Sequence, residues 1–157
     1  TDGLRMAREY RLPSGIAAFI AEHQGSMVTR SAYTRAQNAS ATPVDEAPYR
    51  YPGPTPSRRE TALVMLADAS EATVRALRPA RPEEMDQIVR KVIAERVTDH
   101  QLDNSGLTLR DLELAAQSFV ETLRGAYHPR IEYPQLSPAP RAPVEPNLPL
   151  VGSRDQV

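Results

Sequence analysis

Fifteen prolines spread through 157 residues decide where this chain can and cannot be helical. Proline fixes φ, lacks an amide hydrogen and keeps the residue before it out of the helical region, so it is barred from helix and sheet interiors alike. Five prolines fall between 43 and 56, closing with Tyr51-Pro52-Gly53-Pro54-Thr55-Pro56, so regular order is expected to lapse from Asn38 to Pro56. A loop of that length inside a compact domain is characteristically functional or mobile. Toward the C-terminus, prolines at 138, 140, 143, 146 and 149 suit an extended, polyproline-like segment that supports no packed core. The expected domain therefore covers residues 1–134, followed by a disordered proline-rich tail over 135–157.

Between these interruptions the apolar residues recur at helical spacing. Leu4 with Ala7, and Met6 with Tyr10, mark a first helix that Leu12-Pro13 closes. Ser14 is the expected cap of a second helix, whose stripe is Ile16, Phe19 and Ile20 and whose stop is Gly25. A weaker third helix is expected between Ser26 and Gln37. Ser57 with Glu60 spells a capping box ahead of a long helix marked by Leu63, Leu66, Ser70, Val74 and Leu77. Pro82 suits the first position of the next helix, Glu83-Glu84 suit its positive dipole end, and Met85, Ile88, Val89, Val92 and Ile93 give its apolar face. Thr108 with Asp111 caps a last helix faced by Leu109, Leu112, Ala116, Phe119, Val120 and Leu123, with Gly125 as its expected end. Nothing reads as a strand and no internal repeat is visible, so the fold class is all-α.

Composition removes several function classes. The net charge of −1 provides no basic field to hold nucleic acid by counterion release. Without cysteine there are no disulfides, no thiolate catalysis and no cysteine-ligated zinc, so a metal would need His, Asp or Glu. No apolar run approaches the roughly 20 residues that span a bilayer, and no signal-peptide pattern opens the chain. This segment is expected to make no membrane contact. It begins Thr1-Asp2-Gly3, already in helical register, which reads as part of something longer.

The chemistry-bearing residues are few. His23, His100 and His128 are the only imidazoles, and no two stand at the short spacing of a dedicated metal site. Taken alone, each reads as structural; His23 suits a helix end, where the dipole favours a cation. Asp68 interrupts the apolar run Val64 to Ala72, either as a functional carboxylate or as part of a solvated stripe with Glu71 and Arg75. Gly53 between prolines is no phosphate-binding loop, and there is no Gly-x-Ser-x-Gly elbow. Arg58-Arg59 could meet an anion, although exposed arginine pairs are commonly just solvated.

Read together, separated segments carry more. The stretches Gly3 to Pro13, Glu22-His23-Gln24-Gly25, Tyr49-Arg50-Tyr51-Pro52-Gly53-Pro54, Met65 to Ala72, Leu102-Asp103, Leu107 to Leu112 and Arg130-Ile131-Glu132-Tyr133-Pro134 resemble the C-terminal half of an HD-domain phosphohydrolase. The similarity is to the cytoplasmic HD domain of bacterial seven-transmembrane cyclic di-AMP phosphodiesterases, over roughly residues 1–134. The resemblance implies a partial HD helical bundle, two divalent metal ions (iron or manganese), and hydrolysis of a cyclic dinucleotide to its linear form at the cytoplasmic face of a membrane. It implies that His23 is the first histidine of a His-His-Gly motif and that Asp68 is the late metal-ligating aspartate. Gln24 stands where the second histidine is expected. The family's remaining ligands have no counterpart between Thr1 and Val157, so this chain alone is expected to be inactive, with Leu4, Phe19 and Leu63 left bare. Two other readings stay open: a non-catalytic cyclic-dinucleotide-binding module, and a helical interaction domain that recruits a partner through its proline tail.

Overall fold

The computed structural model describes residues 2–127. Six α-helices come in the order α1 (Asp2–Glu9), α2 (Ser14–Glu22), α3 (Arg30–Ala39), α4 (Arg59–Leu77), α5 (Pro82–Thr98) and α6 (Leu109–Ala126). Among the described residues there is no strand, only an isolated antiparallel bridge between Val28 and Arg50. The all-α expectation therefore stands, while the tail over 135–157 and the domain boundary at 134 lie outside the described residues.

Helices α4, α5 and α6 pack on one another around a single core of Ala62, Met65, Leu66, Val74, Met85, Val89, Ile93, Leu102, Ala116, Val120 and Leu123. Local chemistry sets their ends. Pro82 opens α5, and the Glu84 carboxylate reaches back to the Ala80 and Arg81 N–H groups. The Thr108 hydroxyl accepts from the Asp111 N–H at 3.2 Å, and the Asp111 carboxylate accepts from the Thr108 N–H at 2.9 Å, the reciprocal box expected there. Arg78 closes α4 in the left-handed region, with Pro79 behind it.

Against this bundle lies a looser half. Helix α2 packs on α1 and on α4, and the irregular segment 40–58 folds back over the ends of α2 and α3. Although mostly irregular, that segment is tied down. It contains a 3-10 turn at Ala47–Tyr49, an edge-to-face contact of Tyr33 with Tyr49 at 5.7 Å, and a Thr29 N–H to Tyr49 carbonyl bond of 2.7 Å.

Several expected details are corrected. Ser14 is the first helical residue of α2 and makes no cap; Pro13 holds that position. The box expected at Ser57 and Glu60 does not form, because α4 starts at Arg59 and Ser57 donates both its N–H and its hydroxyl to the buried carboxylate of Glu22. Helix α2 ends at Glu22, before Gly25, and α3 starts at Arg30. Gly125 does not stop α6, which runs on to Ala126. Leu77 and Leu109 are 63% and 82% exposed; both sit at helix ends, where the stripe has already left the core. Leu4, Phe19 and Leu63 are half-buried rather than bare, whereas Met6, Leu12, Ile16 and Val64 are among the exposed apolar side chains.

Candidate functional site

The seam between the two halves carries the residues of interest. Glu22, the last residue of α2, is 7% exposed. Its carboxylate accepts from the Ser57 N–H at 2.8 Å, the Ser57 hydroxyl at 2.9 Å and the Thr61 hydroxyl at 2.6 Å. Burial alone would push this carboxyl up. The Thr61 hydroxyl, the two Ser57 donors and the nearby Arg58 guanidinium outweigh burial and hold it below the ordinary glutamate range. A carboxylate from α2 thus sits beside the start of α4, the end where the helix dipole favours negative charge, and ties it to the end of α2.

The same joint places the neighbouring imidazole. His23 is the C-cap of α2 and partly buried, and its Nδ1 lies 2.9 Å from the Phe19 carbonyl and 3.2 Å from the Ile20 carbonyl. A carbonyl oxygen can only accept, so Nδ1 carries a proton, and in the neutral imidazole the lone pair is then on Nε2. A histidine whose second nitrogen is anchored on backbone is oriented in the manner of metal-ligating histidines. Gln24 reaches across to α4 and donates its side-chain amide to Asp68 Oδ2 at 3.1 Å. Asp68 is exposed on α4 and stands apart from the Glu71–Arg75 pair, which bonds within its own turn at 2.7 Å.

The turn after Gln24 is packed tightly. Gly25 has φ +53°, and a Cβ there would stand 2.3 Å from Gln101 Oε1 and 2.7 Å from Met65 Cε. Glycine alone suits a left-handed residue pressed on two buried side chains. Gln101, itself buried, accepts from the Ser26 N–H at 3.0 Å and donates to the Ser26 hydroxyl at 3.0 Å, which anchors the turn to the segment after α5. Beside this turn opens a cleft of about 570 Å³, with His23, Gln24 and Gly25 on one side and Tyr51, Pro52, Gly53 and Pro54 on another.

The structure therefore brings the ends of α2 and α4 together, with Gln24 linking His23's turn to Asp68. His100 stands apart, exposed and bonded to Asp103 at 3.0 Å; His128 lies outside the described residues. Among the described residues no three His, Asp or Glu side chains gather as a metal site. The fit to a divalent cation is partial: one imidazole Nε2 and one carboxylate, both suitable donors, but too few to hold an ion tightly. Sequence reasoning missed Glu22 and Gln101. Both are polar residues in stretches that look solvent-facing, and their partners lie 35 to 39 and 75 positions away.

No protein-family model matches the chain. A Synechocystis sp. protein of uncharacterized function is 42% identical over 139 residues, covering 86% of this chain and 17% of its own length. The cyclic-di-AMP phosphodiesterase PgpH of Bacillus subtilis is 34% identical over 135 residues, covering 86% of this chain and 19% of its own length. In fold, the chain is similar to the HD domain of Listeria monocytogenes phosphodiesterase PgpH in complex with cyclic-di-AMP. The TM-score is 0.76 at 30% identity, over 84% of this chain and 62% of that one. The chain thus spans about a fifth of the length of the curated relatives it matches.

Proposed function

We propose that this chain, a homologue of the PgpH HD domains in sequence and fold, provides part of a metal-dependent phosphohydrolase site for cyclic di-AMP, with His23 and Asp68 as metal donors. The observation that carries the reading is the anchoring of His23 Nδ1 on two helix carbonyls, which leaves Nε2 as a ready ligand one residue from the glutamine that grips Asp68. When bound, divalent cations such as iron or manganese lower the pKa of a coordinated water and neutralise charge on a phosphodiester. The chain's own residues orient and hold. Glu22 locks the end of α2 to the start of α4, Phe19 and Ile20 fix the imidazole, and Gln24 sets the Asp68 carboxylate. The domain span 1–134, the pair of metal ions and the cytoplasmic location at a membrane face belong to the same proposal. No helix among the described residues is long and apolar enough to cross a membrane.

A second reading is favoured by one specific contact. Gln24, in the place where the family's motif has a second histidine, uses its amide on Asp68 instead of presenting an imidazole. That suits a site that binds the cyclic dinucleotide without turning it over.

The test is an NMR titration of the 157-residue chain with manganese(II), whose paramagnetism broadens nearby signals. Selective broadening at His23, Gln24 and Asp68, lost in both His23→Ala and Asp68→Ala, is expected. Broadening that survives both substitutions would refute the ligand assignment. With two donors, the chain alone is expected to bind manganese weakly and to leave cyclic di-AMP intact, and turnover by the isolated chain would overturn that expectation.

A further inference from the structure

The lining of the cleft beside His23 is chemically mixed. His23 and Gln24 contribute polar side chains, and Tyr51, Pro52 and Pro54 form an apolar wall together with Leu4 and Ile20. The wall is built into the fold. The Tyr51 N–H donates to the Met27 carbonyl at 2.9 Å, and the Arg50 guanidinium donates to the Ser26 carbonyl at 3.0 Å. Gly53 lies so close to α2 that a Cβ would fall 2.2 Å from the Ala21 carbonyl oxygen, a contact only glycine permits. A loop held at three points keeps its shape before any ligand arrives, so little ordering remains to be done on binding. Yet its aromatic residue is not consumed by the packing: Tyr51 stays 37% exposed, at the mouth of the cleft.

A preformed shelf of one aromatic ring beside prolines, near a metal-donor pair, is suited to a planar heteroaromatic group attached to a phosphodiester. We propose that Tyr51, with Pro52 and Pro54, is the base-recognition wall of this site and stacks one purine of the cyclic dinucleotide while the phosphodiester lies toward His23. The inference rests on the reading of the site given above. It adds a determinant of nucleotide specificity on a loop that contributes no metal ligand, and it commits to a nucleobase as occupant because a fold-matched domain is known with cyclic-di-AMP bound.

The experiment is an NMR titration of the 157-residue chain with AMP, with inorganic phosphate and with cyclic di-AMP. AMP and cyclic di-AMP are expected to shift signals of Ile20, Tyr51 and Gly53, and phosphate is not. Tyr51→Ala is expected to weaken AMP binding roughly tenfold or more, the usual loss on removing a stacking platform, while Tyr51→Phe retains it. If Tyr51→Ala fails to fold, Tyr51→Leu, apolar but without a ring, carries the comparison. Equal affinity of wild type and the ringless variant, or AMP shifts that phosphate reproduces, would overturn the proposal. The two readings fail separately. Cyclic di-AMP binding that ignores Tyr51 removes the base wall alone. AMP binding at Tyr51, with manganese broadening unaffected by His23→Ala and Asp68→Ala, removes the metal-site reading and leaves the wall.

Discussion

Glu22 offers the sharpest test of how the two halves are joined. Replacing it by alanine removes the acceptor for three hydrogen bonds. Bonds to a charged group contribute about 1.5–3 kcal/mol each, but these three share one carboxylate and do not add. Two features reduce the loss further. Ser57 is exposed and can turn to water, and the Thr61 hydroxyl keeps an alternative acceptor in the Arg58 carbonyl at 3.1 Å. Removing the carboxylate also removes the cost of burying it. The net expectation for Glu22→Ala is about 2–4 kcal/mol of destabilisation. Glu22→Gln keeps one oxygen for the Ser57 N–H and the Thr61 hydroxyl, while its new amide can donate to the Ser57 Oγ, so the cost should fall to about 1 kcal/mol. Urea unfolding monitored by far-UV circular dichroism measures both, with a shift in midpoint at constant slope as the sign that stability alone has changed. Hydrogen exchange at His23 to Ser26 should quicken in the alanine variant ahead of exchange in α5. If the two variants cost the same, or if alanine costs under about 1 kcal/mol, desolvation cancels the bonds and Glu22 does not make the joint.

Two further outcomes concern single residues. Gly25→Ala places a Cβ on a left-handed residue and 2.3 Å from Gln101 Oε1. It is expected to cost about 2–4 kcal/mol in the same urea assay, and a neutral effect would mean that the turn relaxes freely. Thr108→Ala should cost about 1 kcal/mol near neutral pH. The Thr108 N–H and hydroxyl hold the Asp111 carboxyl below its ordinary value near 3.8, so this contribution is full above that value and is lost as the pH falls through the lower folded-state pKa. The gap between wild type and variant should therefore narrow in strong acid, and a gap independent of pH would show that the carboxylate does not take part.

The core was legible where the determining interactions are local. Apolar residues three and four apart located α4, α5 and α6, and the Thr108–Asp111 box closes within three residues of itself. The Ser57–Glu60 pair has the same form and fails, because the partner that captures Ser57 is a buried carboxylate 35 positions earlier, and no spacing rule sees it. The same distinction runs through the site. His23 and Asp68 became candidates only through the family resemblance, while the backbone anchor of His23 lies within its own helix. The role of Gln24 was not legible. From sequence it stands where a second histidine is expected; in three dimensions it donates to Asp68, 44 residues away. Gly25 likewise reads as a helix stop, while its tightest constraint comes from Gln101, beyond the end of α5.

These long-range contacts explain why the candidate site lies where it does. Asp68 belongs to the bundle, on a helix whose opposite face includes Leu66 and Val74, both fully buried. His23 belongs to the looser half and is placed by Glu22, Gly25 and Ser26, each held by a partner on the far side of the seam. Moving Asp68 requires disturbing the core, whereas moving His23 requires breaking only a few polar contacts. A ligand that engages both residues spans the seam between the two halves. The contacts across the seam, those of the buried Glu22 carboxylate among them, therefore bear on how His23 and Asp68 are held relative to one another, although Glu22 does not itself line the cleft.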